Sequence, residues 1–425
     1  MATRTGTQKP KARSRRVAVR NALNEATDSI KVPASLKSVP GVPLDRKVVR
    51  FFAKDYPENS FWDTDVYRHS VAWSEKLKPQ HSELAKDKFI GEIRRIKETI
   101  WDYEELPVGE VRDDSPDLTQ AVRRQAHDLG MTMLGITRFD RAWVNAESKG
   151  DAKFRTAIVG MLEQPWDITQ EMPSIASFEG YYETQLEISR QGIALADFIR
   201  SKGYPVQFAY VTFTGRNMAP ALPYAVQAGL GQMGANGQLL TPIGSRCRFV
   251  LMTTDAPLKY DRPVDYGVNE LCGKCLVCVR RCPGRALPKE RVWWRGVYKY
   301  KTDAERCLPM PAQFNGCGIC MKVCPVQKYG LKEVVEHFGE TGKVLGKGTD
   351  ELEGYTLGNK GYWPAGRLPR FTVKEGSKGM MAMAKALRID IDNLVTDNEQ
   401  VLATYGRRRG DVSATDDEGV ERIDE

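Results

Sequence analysis

Apolar and polar positions follow two different periodicities through the middle of the chain. Short runs of mostly apolar residues, typical of buried strands, are separated by amphipathic stretches with a helical repeat. Two of the helical stretches stop at Gly130 and Gly203, and glycine readily adopts the left-handed conformation that ends a helix. The pattern predicts strands at Met131–Thr137, Thr156–Leu162, Val206–Thr212 and Arg248–Thr254, and helices at Leu118–Leu129, Tyr181–Lys202 and Ala221–Gly229.

The alternation of helix and strand predicts a layered core of the α/β or α+β class. Changes in composition divide the rest of the chain into segments around that core, with a further short helix near residues 376–388. The predicted segments are a disordered basic arm at 1–45, an aromatic-rich segment at 46–115 that wraps the core, the core itself at 116–267, a cysteine-rich module at 268–330, a segment at 331–405 that completes the core, and a charged tail at 406–425.

Composition and charge restrict the class of protein. With 41% hydrophobic and 28% charged residues over 425 positions, the chain has the composition of an ordinary globular protein. It contains no apolar run long enough to span a bilayer. The net charge of +8 includes a basic arm that precedes the first acidic residue, Glu25, and such arms are most often solvated tails rather than nucleic-acid contacts. Arg15 and Arg16 are not followed by the apolar stretch of an export signal, so a cytoplasmic protein is expected.

Eight of the nine cysteines fall into two short runs, each of which ends in Cys-Pro. The first run has the spacing C-x2-C-x2-C-x3-C-P of bacterial ferredoxins, in which three thiolates hold one iron–sulfur cluster and the fourth reaches another. In the second run the leading cysteine stands further away, at a separation that a loop can close. Two [4Fe–4S] clusters are predicted, one on Cys272, Cys275, Cys278 and Cys324, the other on Cys282, Cys307, Cys317 and Cys320.

Zinc and disulfide bonds explain this spacing less well. A structural zinc site of this kind takes two pairs of ligands, and a disulfide framework is typical of short secreted chains. Structural zinc remains the alternative to iron. The ninth cysteine, Cys247, stands in an apolar stretch and is predicted to have only a packing role.

A glycine-rich segment precedes the cysteine runs. Closely spaced glycines allow the backbone to approach a bulky ligand and to present its amides to that ligand. On its own the spacing is also that of an ordinary glycine-rich turn. The candidate cofactor-binding residues are Gly229, Gly231, Met233, Gly234, Asn236, Gly237, Thr241 and Pro242.

The order of these motifs resembles that of the corrinoid-dependent reductive dehalogenases and, more distantly, that of epoxyqueuosine reductase. The resemblance covers roughly residues 115–330 and rests chiefly on the glycine-rich segment followed by the two Cys-Pro runs. It implies a nitroreductase-like core that holds cobalamin, a ferredoxin-like module packed beside it, and an organohalide substrate. Further segments of the family pattern are Ala126–Gly130, Gly135–Thr137, Arg141–Trp143, Ala194–Tyr204 and Thr254–Leu258.

The resemblance also implies a division of labour between the cofactors. Cobalamin supplies a strongly reducing cob(I) centre, and the clusters pass single electrons to it. Cobalt carries no protein ligand in this family, which agrees with the lack of an Asp-x-His-x-x-Gly motif in the sequence. Because the chain shows neither an export signal nor a fused reductase domain, a separate soluble electron donor of the ferredoxin or flavodoxin type is expected. The four histidines, predicted to be structural or exposed, are His69, His81, His127 and His337.

The family's proton donor is a tyrosine that precedes an Ile-Arg-x-x-Gly-Tyr segment, and Tyr181 and Tyr182 match that position. A tyrosine has an ordinary pKa of about 10, so a neighbouring cation or amide that stabilises the phenolate favours proton donation at neutral pH. The sequence leaves open which tyrosine donates. The candidates for the neighbour are Arg216, Asn217, Arg246 and Arg248.

Two other functions remain open. An epoxyqueuosine-reductase-like enzyme would use the same cofactors on tRNA, and the basic arm favours it. That family, however, places an acidic proton donor just ahead of the glycine-rich segment, where this chain has Thr214, Gly215, Arg216 and Asn217. A pure electron-transfer protein is the third possibility, and it leaves the long region before the clusters without a role.

Overall fold

The computed structural model describes residues 30–47, 88–145, 148–212, 214, 217–294, 296–303, 307, 310–311, 314, 316–358, 361–367 and 420–421. Its helices are α1 Gly91–Ile100, α2 Leu118–Asp128, α3 Trp166–Gln170, α4 Ile175–Ser201, α5 Ala221–Gln227, α6 Val268–Cys275, α7 Val277–Arg281, α8 Ile319–Lys322, α9 Pro325–Tyr329, α10 Leu331–Thr341 and α11 Asp350–Glu353. Its strands are β1 Met133–Arg138, β2 Thr156–Glu163, β3 Val206–Val211, β4 Gln232–Met233, β5 Leu239–Leu240, β6 Cys247–Thr254, β7 Val292–Trp294, β8 Val297–Lys299, β9 Tyr355–Thr356, β10 Tyr362–Trp363 and β11 Val420–Glu421.

The predicted strands and helices of the core are confirmed with small shifts at their ends, and the largest difference is at α4. This helix begins at Ile175, before the predicted start at Tyr181. Ser174 and Ser177 explain the earlier start, because the Ser177 N–H donates to Ser174 Oγ (3.0 Å) and the Ser174 N–H donates to Ser177 Oγ (3.1 Å). This reciprocal arrangement is a capping box, which satisfies N–H groups at the start of a helix.

A four-stranded sheet in the order β1-β2-β6-β3 forms the centre of the core. Every neighbouring pair in this sheet is antiparallel, so the mixed core is of the α+β kind. Side chains alternate between the two faces, as strand geometry requires. Ile158 and Met252 pack with α2 and α4 on one face, and Val159 and Leu251 pack with α5 on the other.

The cysteine-rich module has its own hydrophobic core, built from α6 to α10 and from the segments around β9 and β10. Residues 331–358 and 361–367 pack mainly around this module, whereas the sequence assigned them to the completion of the main core. Leu331, Leu352 and Trp363 are buried there.

The described end of the basic arm also differs from the prediction of disorder. Leu36 is fully buried in the core of the cysteine module. The Ser38 hydroxyl donates to the Asp265 carboxylate at 3.2 Å, and the Ser38 N–H donates to the other oxygen of the same carboxylate at 2.5 Å. Residues 1–29 and the predicted helix near 376–388 lie outside the described residues. Within the described part of the chain, none of the helices is both long and apolar enough to cross a bilayer.

Candidate functional site

The first predicted set of cysteines lines a single cavity. Cys272, Cys275, Cys278 and Cys324 contribute to its wall, together with Leu240, Leu271 and Val326. Two local features bring the thiols together. Leu276 takes a left-handed conformation (φ 51°) that turns the chain between α6 and α7, and Pro325 starts α9 directly after Cys324.

The second predicted set gathers next to the first. Cys282 packs with Cys307 and Cys320 in a small apolar cluster, and Cys278 of the first set contacts the same cluster. Cys317 lies within electrostatic range of Cys282. The cysteines of each predicted set therefore lie near one another, and Cys278 and Cys320 lie where the sets meet. Their roles as cluster ligands stay a prediction.

The eight thiols lie in apolar surroundings, and backbone N–H groups donate hydrogen bonds to two of the sulfur atoms. Burial raises the pKa of every one of them above the ordinary value, so a metal cluster would have to hold them as thiolates. The Ala235 N–H donates to Cys272 Sγ at 3.5 Å and the Ala286 N–H to Cys282 Sγ at 3.3 Å. Hydrogen bonds to sulfur are one of the means by which proteins set the potential of iron–sulfur clusters.

The glycine-rich segment folds as the β4–β5 hairpin against the first cysteine set. Ala235 and Asn236 line the cavity beside the thiols. A Cβ on Gly231 would lie 2.4 Å from the Leu240 carbonyl oxygen, and one on Gly237 (φ +72°) would lie 2.6 Å from Thr302 Oγ1. Close chain packing therefore accounts for both glycines, and their role toward a corrinoid stays a prediction.

The other predicted cofactor-binding residues also make contacts within the protein. Met233 pairs with Leu239 across the hairpin, and the Gly234 N–H donates to the Gln238 carbonyl at 2.8 Å. The others form hydrogen bonds. The Gly229 carbonyl accepts from the Tyr266 hydroxyl (2.7 Å), Thr241 Oγ1 donates to the Gly244 carbonyl (2.8 Å), and the Pro242 carbonyl accepts from the Leu331 N–H (3.0 Å).

Several buried polar atoms along this part of the chain have no hydrogen-bond partner among the described residues. Buried polar groups are normally paired, so unpaired ones need an explanation such as a missing ligand or water. Three lie on the glycine-rich segment or directly after it, namely Asn236 Nδ2, Gln238 Oε1 and Ser245 Oγ. Two more, Arg248 Nε and Gln164 Nε2, belong to the arginine and tyrosine site described next.

Two arginines at the start of β6 have different partners, although they stand two positions apart. Arg246 is held by the carboxylate of Glu163, with Nε to Oε1 at 2.7 Å, and also donates to the Gln327 carbonyl at 3.0 Å. Arg248 donates instead to the neutral amide of Gln164, with Nη2 to Oε1 at 2.7 Å. Arg246 is thus charge-compensated and ties β6 to α9. Arg248 has no carboxylate partner among the described residues.

The uncompensated cation of Arg248 lies against one of the two candidate tyrosines. Its guanidinium carbon is 3.9 Å from the centre of the Tyr181 ring. Burial lowers the pKa of Arg248, an effect that the neighbouring Tyr181 opposes. A guanidinium remains charged even when its pKa falls somewhat. The structure therefore places a permanent positive charge beside Tyr181.

Tyr182 has a different environment. Its ring stacks on Phe89 with the ring centres 5.0 Å apart and packs edge-on against Phe178 at the same distance. Burial raises the pKa of Tyr182. An apolar environment disfavours the charged phenolate, so these ring contacts suit a packing role for Tyr182.

Of the remaining polar candidates, Asn217 is exposed, and its carbonyl accepts from Asn145 Nδ2 at 2.6 Å. Arg216 lies outside the described residues, as do His69 and His81. Two residues that the sequence did not single out join the site: Gln164, the partner of Arg248, and Tyr210, a second phenol within electrostatic range of it. The sequence feature that could have indicated Gln164 is the pair of polar residues, Glu163 and Gln164, at the end of an apolar strand.

Cys247 and the described histidines stay outside the cysteine sets. Cys247 is buried in β6, and burial raises its pKa to about 12, which suits a packing residue. His127 is half exposed on α2 with Asp128 3.2 Å from its ring nitrogen. Among the described residues no three His, Cys, Asp or Glu side chains converge closely enough to hold a single metal ion.

Comparison with known proteins confirms the predicted resemblance. No protein-family profile matches the chain. A tetrachloroethene reductive dehalogenase from Desulfitobacterium hafniense is 30% identical over 214 residues, covering 47% of this chain and 37% of that protein. A second, from Sulfurospirillum multivorans, is 25% identical over 261 residues and 51% of each chain. Epoxyqueuosine reductase from Escherichia coli strain K12 is a weaker match, 25% identical over 276 residues, covering 53% of this chain and 69% of that enzyme. These relatives are oxidoreductases, and the match spans 37% and 51% of the lengths of the two dehalogenases.

Solved structures show the same fold. A catabolic reductive dehalogenase superimposes with a TM-score of 0.62 at 21% identity, covering 86% of this chain and 50% of that one. Another reductive dehalogenase structure, which suggests a mechanism for B12-dependent dehalogenation, superimposes with a TM-score of 0.60 at 21% identity, over 85% of this chain and 49% of that one. The mixed helix and sheet architecture is thus that of reductive dehalogenases.

Proposed function

We propose that the protein is a reductive dehalogenase that uses cobalamin and two [4Fe–4S] clusters and takes its proton from Tyr181. The observation that carries the proposal is the grouping of eight cysteines into two adjoining sets, with the glycine-rich hairpin against the first set and an uncompensated cation beside Tyr181. The nitroreductase-like description of the core and the ferredoxin-like description of the cysteine module belong to this proposal.

The two cysteine sets would hold the clusters and relay electrons. Each set has four thiols, the number that a [4Fe–4S] cluster requires. Cys278 and Cys320 lie where the sets meet, which favours electron transfer between the clusters. Backbone N–H groups already point at Cys272 and Cys282 and would stabilise the negative charge on the bound sulfurs.

The glycine-rich hairpin would hold the corrinoid next to the first cluster. Asn236, Gln238 and Ser245 offer unpaired buried polar atoms, which suit the amide groups around a corrin ring. When bound, the corrinoid supplies a strongly reducing cobalt centre, and that chemistry belongs to the cofactor rather than to the protein. A structure related in fold is associated with B12-dependent dehalogenation.

Tyr181 would complete the reaction by proton transfer. Reductive dehalogenation consumes two electrons and one proton, breaks the carbon–halogen bond and forms a carbon–hydrogen bond, and halide leaves with the electron pair of the broken bond. The Tyr181 O–H would give its proton to the carbon, and Arg248 would stabilise the phenolate that remains. Gln164 holds Arg248 without neutralising it, so the full positive charge is available.

The cofactor content tests the proposal directly. After anaerobic reconstitution with iron, sulfide and cobalamin, we expect about eight irons per chain, on the basis of two four-iron sites, and one bound corrinoid. With a chemical reductant the loaded protein should release halide from 3-bromo-4-hydroxybenzoic acid, which a related structure binds, or from tetrachloroethene. Zinc in place of iron, or activity on tRNA epoxyqueuosine alone, would contradict the proposal.

A second prediction concerns the coordination of cobalt. We expect the corrinoid to bind with its lower base displaced and without a histidine on the metal, because the sequence lacks the Asp-x-His-x-x-Gly motif. Electron paramagnetic resonance of the cob(II) state measures this, since an axial nitrogen splits the cobalt lines. Nitrogen superhyperfine splitting in the loaded protein would show that the expectation is wrong, and free cobalamin with its base attached is the reference.

A further inference from the structure

One fully buried cation in the cysteine module has no acidic partner among the described residues. Arg281 ends α7 and is 0% exposed, and no carboxylate of the described residues lies within salt-bridge distance of it. The preceding residue, Arg280, does have a carboxylate, because its Nη2 lies 3.1 Å from Glu353 Oε1. A buried charge without a counter-ion is costly, and buried charges are therefore normally paired.

The guanidinium of Arg281 is instead held by backbone carbonyls of the C-terminal segment. Nη2 donates to the Trp363 carbonyl at 2.9 Å, and Nη1 donates to the carbonyls of Arg367 (2.6 Å) and Ala365 (3.3 Å). Nε has no partner among the described residues. These contacts orient the side chain, but neutral carbonyls do not neutralise its charge.

The chain and the Tyr355 ring link Arg281 to the second cysteine set. Cys282 follows it directly in the sequence. The guanidinium carbon lies 4.9 Å from the centre of the Tyr355 ring, and the Tyr355 hydroxyl donates to the Arg281 carbonyl at 2.9 Å. Tyr355 is in turn within electrostatic range of Cys282 and Cys317. A positive charge and two predicted cluster ligands therefore share one buried environment.

We infer that the counter-ion of Arg281 is the iron–sulfur cluster on Cys282, Cys307, Cys317 and Cys320, and that its fixed charge raises the reduction potential of that cluster. This inference rests on the proposed function. A [4Fe–4S] cluster with four thiolate ligands is negatively charged and gains one more negative charge on reduction, and net charge is one determinant of its potential. A nearby cation stabilises the reduced form more than the oxidised form. Arg281 would thus favour reduction of this cluster by the electron donor.

The experiment is a redox titration followed by electron paramagnetic resonance on fully reconstituted protein. For Arg281→Gln we expect the ratio of reduced to oxidised second cluster at a fixed potential to fall about tenfold, which is 59 mV for one electron. Arg281→Lys keeps the charge but loses the planar arrangement of donors, and it should stay close to the wild-type potential. Arg190→Gln removes an exposed arginine of α4, paired with Glu92 and Glu187, and should change neither cluster. The signals of Cys275→Ala and Cys320→Ala, each lacking one ligand of one set, assign the two clusters.

Each outcome decides the inference. A lowered potential in Arg281→Gln but not in Arg281→Lys supports it, and so does loss of the second cluster from the Gln variant alone. An unchanged potential in Arg281→Gln, or equal shifts or cluster loss in both Arg281 variants, would overturn it and leave Arg281 only as an anchor for residues 363–367. Wild-type protein that holds no iron–sulfur clusters would refute the proposed function instead.

Discussion

Tyr181→Phe is expected to lower the rate of dehalogenation by at least about a hundredfold, the lower range of what loss of a general acid costs. Phenylalanine keeps the ring against Arg248, where the guanidinium carbon lies 3.9 Å from the ring centre, but it has no proton to give. The clusters and the corrinoid should bind as in the wild type. The measurement is halide release with reduced cofactor, with iron and cobalt content determined on the same sample.

Tyr182→Phe is the matched control, because it removes the same hydroxyl from the adjacent residue. Tyr182 packs between Phe89 and Phe178, so its substitution should leave turnover near the wild-type rate. Arg248→Gln tests the role of the cation, and its activity should respond to pH differently from that of the wild type, because the phenolate loses its stabilising charge. Wild-type turnover by Tyr181→Phe would move the proton donor elsewhere, with Tyr210 as the next phenol beside Arg248.

Cys324→Ala is expected to remove one cluster and nearly all dehalogenation. Cys324 comes from the second Cys-Pro run but lines the cavity of the first set, so its loss should leave a three-thiol site that does not hold a complete cubane. Because each of the two sites holds four irons, the iron content should fall from about eight to about four per chain. Because electrons must then bypass the first cluster, halide release should fall by at least a hundredfold, roughly the scale expected for loss of an essential step.

Cys247→Ala is the control for this prediction. It removes the ninth cysteine, which is buried in β6 outside both sets, and should keep the iron content and the rate. The electron paramagnetic resonance signal of the second cluster should persist in Cys324→Ala. If Cys324→Ala retained all its iron, or if Cys247→Ala lost four irons, the assignment of ligands to the two sites would be wrong.

Local sequence determined the secondary structure of the core, and it predicts which cysteines belong to each set. Strands such as β2 and β6 and helices such as α2 follow from the periodicity of neighbouring side chains, which needs no knowledge of distant residues. The two cysteine sets follow from a motif in which the fourth cysteine of each run crosses to the other site. The structure places Cys272, Cys275, Cys278 and Cys324 around one cavity and brings Cys307 and Cys320 to Cys282, while their roles as cluster ligands stay a prediction.

Only the tertiary structure distinguishes the surroundings of the arginines and of the two candidate tyrosines. Arg246 and Arg248 look equivalent in the sequence, but the pairing of β2 with β6 places a carboxylate against the first and an amide against the second. Tyr181 and Tyr182 are adjacent, yet Tyr181 lies against the guanidinium of Arg248, whereas Tyr182 stacks on Phe89. Likewise, Arg281 differs from Arg280 only through partners far along the chain. Electrostatic interactions depend on distance in space and on burial, and neither can be read from the local pattern of residues.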